Sequence, residues 1–243
     1  MSTRRLCLAA ALTLAAAGAS AQGRDTKFKL LVDGVYGMKI DYAESRSFQE
    51  FAETGSLDVD YSNDAGPGFM GALQFDFVPR FGIRVGFSAV KKDGAATYEG
   101  SFPHPLYFNR ARSVSGEIAG TEYKETAVHL DAVFTAPAGR LDFSLFAGAS
   151  RTKVEADLAG NVNKNEVYPF DEVSVSLVGF GASDTPIGFN GGAGLDFRFS
   201  DHLAFGAQFF YSSAKAKLVS PAGGTIEIDA GGSHATAGLR ILF

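Results

Sequence analysis

Eleven charged residues fall at alternating positions inside otherwise apolar runs: Lys29, Asp33, Lys39, Asp41, Asp76, Arg84, Asp131, Asp142, Asp196, Arg198 and Arg240. Both signs are present, and Gly and Ala interleave them. Side chains of this kind neutralise one another in a confined polar space, where an isolated charge costs several kcal/mol. They are therefore read as one lumen charge network. Nucleophilic chemistry has thinner support. Of the four histidines, His202 falls in a short turn, His129 and His234 fall on the polar face of apolar runs, and His104 sits in the loop Ser101-Phe102-Pro103-His104-Pro105. His104 reads as a solvated loop residue. No strand face carries a Ser and a His two residues apart, so no catalytic residue is assigned. The one cysteine, Cys7, rules out an internal disulfide and a Cys-based metal site, and neither a metal nor a cofactor is expected.

The elements that must position these charges alternate with a period of two. Phe28, Leu30, Val32, Tyr36, Met38, Ile40 and Tyr42 oppose Lys29, Asp33, Lys39 and Asp41 in the first segment. Phe69–Phe77 and Phe81–Ala89 repeat the pattern around Val78-Pro79-Arg80. Tyr123–Thr135 and Leu141–Ala149 do so around Ala136–Gly139, with Phe146 as a misfit on the polar face. A third hairpin joins Ala193–Phe199 to Leu203–Tyr211 through Ser200-Asp201-His202. The last segment, Ala235–Phe243, sets Ala, Ala, Leu, Ile and Phe against Thr236, Gly238 and Arg240. Eight strands follow. Three short turns, near residues 79, 138 and 201, alternate with four long connections at roughly 43–66, 93–122, 159–187 and 219–232. Short turns at one end and long loops at the other suit an antiparallel up-and-down transmembrane β-barrel, and strands of about 9–11 residues suffice to cross.

Residues 1–21 read as a cleaved export signal: Arg4 and Arg5, an apolar run from Leu6 to Ala17, then Ala19-Ser20-Ala21. That leaves 22–243 as the barrel domain. Without Arg4 and Arg5, 20 basic residues face 27 acidic ones, a formal charge of −7, which disfavours nucleic acid as a partner. With 29 Gly, 22 Phe and 8 Tyr, the composition supports turns and aromatic strand surface.

The apolar face gathers aromatics at both strand ends, Phe28, Phe77, Phe81, Phe134, Phe143, Phe199 and Phe243 near the short turns and Tyr42, Phe69 and Tyr211 toward the loops, although Trp is absent. Together with the terminal Phe243, these features resemble the small bacterial outer-membrane barrels of the OmpA/OmpX type. The resemblance implies a Gram-negative outer-membrane location with lipid and lipopolysaccharide as surroundings; because the chain ends at the last strand, the peptidoglycan-binding domain that follows the barrel in OmpA is not expected here. It also implies that Leu239, Ile241 and Phe243 form the signal read by the barrel-insertion machinery. At eight strands the charges are expected to plug the bore, giving a monomeric structural or surface-interaction protein rather than an enzyme. Acidic residues outnumber the lone Arg46 in the first loop (Glu44, Glu50, Glu53, Asp58, Asp60 and Asp64), and Tyr107, Phe108, Tyr168 and Phe170 lie in other loops. The alternatives are a secreted lipocalin-like ligand binder, a narrow pore, or a lipid-modifying outer-membrane enzyme.

Overall fold

The computed structural model describes residues 27–220 and 224–243, so the export signal read at 1–21 lies outside the described residues. Eleven strands form one antiparallel sheet: β1 (Phe28–Gly37), β2 (Ile40–Glu50), β3 (Glu53–Asn63), β4 (Gly66–Val78), β5 (Phe81–Phe102), β6 (Arg112–Ala138), β7 (Leu141–Glu166), β8 (Val173–Asp184), β9 (Ile187–Arg198), β10 (Leu203–Val219) and β11 (Thr225–Leu242). Eight of them close a ring in the order β1-β4-β5-β6-β7-β9-β10-β11. Closure leaves no unpaired edge where the backbone meets lipid, which cannot hydrogen-bond it. At the seam, Phe243 N–H donates to Phe28 O at 2.9 Å and Lys29 pairs with Leu242.

The three short turns lie where the sequence places them, but the four long connections are not loops. β5, β6, β7, β10 and β11 continue well past the ring, while β2–β3 and β8 add strands to their outer halves. Only short tips remain, at 51–52, 103–111 and 167–172 among the described residues. The apolar residues of these strands change phase at the outer rim of the ring. The ladders nonetheless continue through that change.

The change divides the molecule into two storeys. In the membrane storey Val32, Leu73, Val85, Leu130, Phe205 and Leu239 face outward, and charged residues face inward. In the outer storey the inside is apolar, built on Leu57, Val59, Tyr61, Tyr123, Val154, Leu158, Leu218 and Ile228, and the outside carries Lys91, Lys124, Lys153, Lys215 and Glu227. Between β1 and β2 the inward-facing positions shift from odd to even numbers, because Met38 and Lys39 are both exposed. Lys39 and Asp41 consequently stand on the exterior, with side chains 54% and 59% exposed, and pair with each other at 3.2 Å. This corrects their placement in the lumen. A bulge at Gly120, with φ of +76°, produces the same shift in β6.

Candidate functional site

The buried charges of the membrane storey meet in one layer. Lys29 Nζ donates to Asp196 at 2.8 Å. Arg240 Nε donates to the other oxygen of Asp196 at 3.0 Å, and its Nη1 bonds Asp33. Asp33 also accepts from Thr236 at 3.1 Å and from Gln208 at 3.4 Å. Gln208 accepts in turn from Arg84 at 2.8 Å, and Arg84 forks onto Asp131 at 2.7 and 3.0 Å. Asn190 donates to the second oxygen of Asp131 at 2.6 Å. Lys29 and Asp33 come from β1, Arg84 from β5, Asp131 from β6, Asn190 and Asp196 from β9, Gln208 from β10, and Thr236 and Arg240 from β11. Nearer the short turns, Arg198 bonds Asp142, and Gln74 donates to Asp76 at 2.8 Å.

Both arginines are fully buried, and each faces two or more acceptors. That matters because a guanidinium taken from water needs its donors satisfied; Arg84 sends Nε and Nη2 to one oxygen of Asp131, and Arg240 Nη2 alone is enclosed without a hydrogen bond. Charge alternation pointed to the charged members of this layer. Gln74, Asn190, Gln208 and Thr236, the neutral links, were legible only as further polar residues on the same faces. Phe146, out of pattern in the sequence, lies flat beneath the Arg84 guanidinium at 3.8 Å and touches Phe210. Its inward position serves cation–π contact.

A second polar layer separates the network from the outer apolar core. Ser88 and His129 share a 2.8 Å hydrogen bond across β5 and β6, Phe210 stacks on His234 at 4.7 Å, and His234 Nε2 lies 3.4 Å from Glu125. Glu125 also accepts from Tyr123 at 2.6 Å and from Gly231 N–H at 2.9 Å. Lys92 Nζ, 3.9 Å from Glu125, is enclosed without a hydrogen bond. Burial pushes this ammonium below its ordinary range, and Glu125 only partly offsets it. Burial also pushes the Tyr42 phenol up to about 12.

His104 is buried rather than solvated. Its Nδ1 accepts the amides of Leu106 at 3.0 Å and Tyr107 at 3.2 Å, which pins the tip between β5 and β6. Among the described residues no cluster of His, Cys, Asp or Glu is arranged to hold a metal ion. The same residues include no helix long and apolar enough to cross a membrane.

One cleft of about 830 Å³ opens in the outer storey between β2, the far end of β7 and the start of β11. Its floor includes Phe48, Leu57 and Ile226, which belong to or pack against the apolar core. Across it, Arg46 bonds Glu44 and the carbonyls of Ala159 and Gly160, and Lys164 bonds Glu50.

A solved structure shares this architecture. The outer membrane protein OprG from Pseudomonas aeruginosa aligns over 91% of this chain and 97% of its own, with a TM-score of 0.53 and 11% identity. Neisserial surface protein A aligns over 89% and 97%, with a TM-score of 0.48 and 13% identity. A comparison with curated proteins finds no match. The family model described as the outer membrane protein beta-barrel domain matches residues 7–240. With apolar strands facing outward, a ring closed against lipid and a match along nearly the whole sequence, the chain belongs to the outer membrane protein beta-barrel domain family and resides in the bacterial outer membrane.

Proposed function

We propose that this protein is a non-conducting, non-catalytic outer-membrane barrel, plugged by its own ion-pair network, that carries a raised outer storey as a structural and interaction surface. It works as a monomer surrounded by lipid and lipopolysaccharide. The observation that carries the reading is the layer around Arg84 and Arg240, in which side chains from six strands bond one another across the bore. Eight strands enclose only enough width for side chains to fill, and the apolar core of the outer storey stands over the charged layer as a second stopper. Water and ions would have to displace both.

Planar-bilayer recording tests the plug. The wild-type protein is expected to show no discrete conductance steps in molar salt, and regular steps would overturn the reading. Mass spectrometry of lipid A from cells producing the protein is expected to show an unchanged acyl pattern. A new acyl pattern would overturn the non-catalytic part.

A further inference from the structure

Three seams divide the outer storey. β6 pairs with β7 only as far as Tyr123 and Ala156, β9 with β10 only as far as Phe189 and Ser213, and β1 with β11 only as far as Gly37 and His234. Beyond those points stand a four-stranded sheet, β2-β3-β5-β6, and two hairpins, β7–β8 and β10–β11. Two seams are bridged by an acidic side chain that caps a main-chain amide across the gap. Asp157 accepts Glu122 N–H at 3.1 Å, and Asp184 accepts Lys217 N–H at 2.7 Å. The third seam, between β2 and β11, is where the cleft opens, lined without interruption by Ala43 to Glu50 and by Gly224 to Glu227.

The backbone of both borders is directed into that seam. Phe51 and Ala52 have φ of 51° and 64°, the signature of a two-residue primed turn, and such a turn makes Glu50 and Glu53 a hydrogen-bonded pair. Alternation then commits the even-numbered residues of β2 to β3 and turns the amides and carbonyls of Ala43, Ser45, Ser47 and Gln49 toward the seam. On β10 the amide of Lys217 points away from β11, so Lys217 and Glu227 form a non-hydrogen-bonded pair, and Thr225, Glu227 and Asp229 direct their backbone groups into the same seam. Past the exposed Lys39–Asp41 pair, the outward side chains of β2 along the seam, Ala43, Ser45, Ser47 and Gln49, are uncharged, without the Lys or Pro that usually guards an edge. On the opposite border stand Glu227 and Asp229, Glu227 in an exposed 2.8 Å pair with Lys215 that a cation on an added strand would share.

We propose that this seam binds an extended segment of a partner protein as an added β-strand, with apolar side chains turned onto Phe48, Leu57 and Ile226 and Lys or Arg turned outward beside Glu227 and Asp229. Main-chain bonds to β2 would supply affinity, and the alternating pockets would supply specificity, as in strand addition generally. The proposal goes beyond the plugged-barrel reading and is independent of it, because the segment never enters the membrane storey.

The test uses an acetylated, amidated heptapeptide of alternating lysine and valine, added to the protein folded in detergent micelles and followed by residue-resolved amide exchange. The Ser45 and Ser47 amides are expected to slow at least tenfold. Ser47→Pro removes a seam donor without touching the β3 ladder. It is expected to weaken binding at least tenfold at unchanged heat-modifiable gel mobility, with Ser47→Ala binding as wild type. Glu227→Lys, whose side chain is exposed, is expected to weaken binding several-fold, and this effect should fade in high salt. Unchanged exchange at saturating peptide, or wild-type peptide affinity in both Ser47→Pro and Glu227→Lys, would overturn the proposal. So would protection produced by dodecanoate alone, which would assign the cleft to lipophiles, or protection that grows with protein concentration without peptide, which would assign it to a second copy.

Discussion

The membrane storey and the outer storey are built from the same strands with opposite polarity. On β10, Phe205, Phe209 and Tyr211 face outward while Gln208 faces the network; a few residues on, Ala214, Ala216 and Leu218 face inward while Lys215 and Lys217 face outward. β11 makes the same exchange, from Leu239 outside and Arg240 inside to Glu227 outside and Ile228 inside. The ladder is continuous through the exchange, and only the surroundings change. Hydrocarbon makes an apolar exterior favourable and leaves the interior to polar groups, whereas water reverses both preferences. The position of the exchange therefore locates the outer membrane surface, near Lys91 on β5, Lys124 on β6, Lys153 on β7 and Lys215 on β10.

If the two interiors differ in this way, they should fail differently. The largest effect is expected from Asp33→Ala, which strips a carboxylate from Arg240 while also releasing Gln208 and Thr236. Removing one partner of a buried ion pair costs about 3–5 kcal/mol. The lower end is expected here, because Asp196 still accepts from Arg240, and it is readable in urea unfolding of the detergent-folded barrel. A loss below about 1 kcal/mol would show that the lumen is wet, erasing the contrast. Leu218→Ala in the outer core should cost about 2–5 kcal/mol through lost burial and a cavity. Its effect should be local. Amide exchange should quicken in the β10–β11 hairpin and not in the ring, because the seams uncouple that hairpin from its neighbours. Faster exchange throughout the ring would mean that the two storeys unfold as one unit.

The exteriors give a smaller and sharper comparison. Leu130→Arg places a charge in the lipid-facing band and should cost about 2–4 kcal/mol if the site is near the bilayer midplane. Thr97→Arg on the outer part of β5 should stay within about 0.5 kcal/mol, as for ordinary surface changes. Equal costs in urea unfolding would place both sites in one medium.

Most of the ring was legible because the alternation of its strands is strong and its three turns carry Pro, Gly or Asp in short connections. The lumen charges were legible for the same reason. Lys39 and Asp41 were misplaced because alternation predicts a face only while the phase holds, and Met38 and Lys39 together shift it by one residue. The outer storey was missed for a related reason. Lys215-Ala216-Lys217-Leu218 alternates as cleanly as Phe205-Gly206-Ala207-Gln208, but with the parity of its apolar residues reversed, so a reading that follows one apolar face stops there. Long-range placement left no local trace. Nothing near Ser47 in sequence announces that its strand borders a gap facing residue 227.

A modest stability effect is expected at the end of the chain. Phe243 lies at the short-turn end, the residue 65% exposed to the surroundings while its backbone bonds Phe28 on β1 and closes the barrel. One interfacial ring contributes about 1.5–3 kcal/mol when fully removed from water, and this one is only partly covered by protein, so its loss should sit at or below the low end. The deletion also removes the main-chain bonds with which Phe243 reaches Phe28, although the pairing from Lys29 to Gly37 remains. If Leu239, Ile241 and Phe243 are instead read by the insertion machinery before any barrel exists, the loss will appear in delivery rather than in the folded state. Deleting Phe243 is accordingly expected to leave refolding from urea into detergent nearly intact while sharply lowering the amount reaching the outer membrane in cells. Equal losses in the two assays would make Phe243 a closure residue and remove its part in recognition.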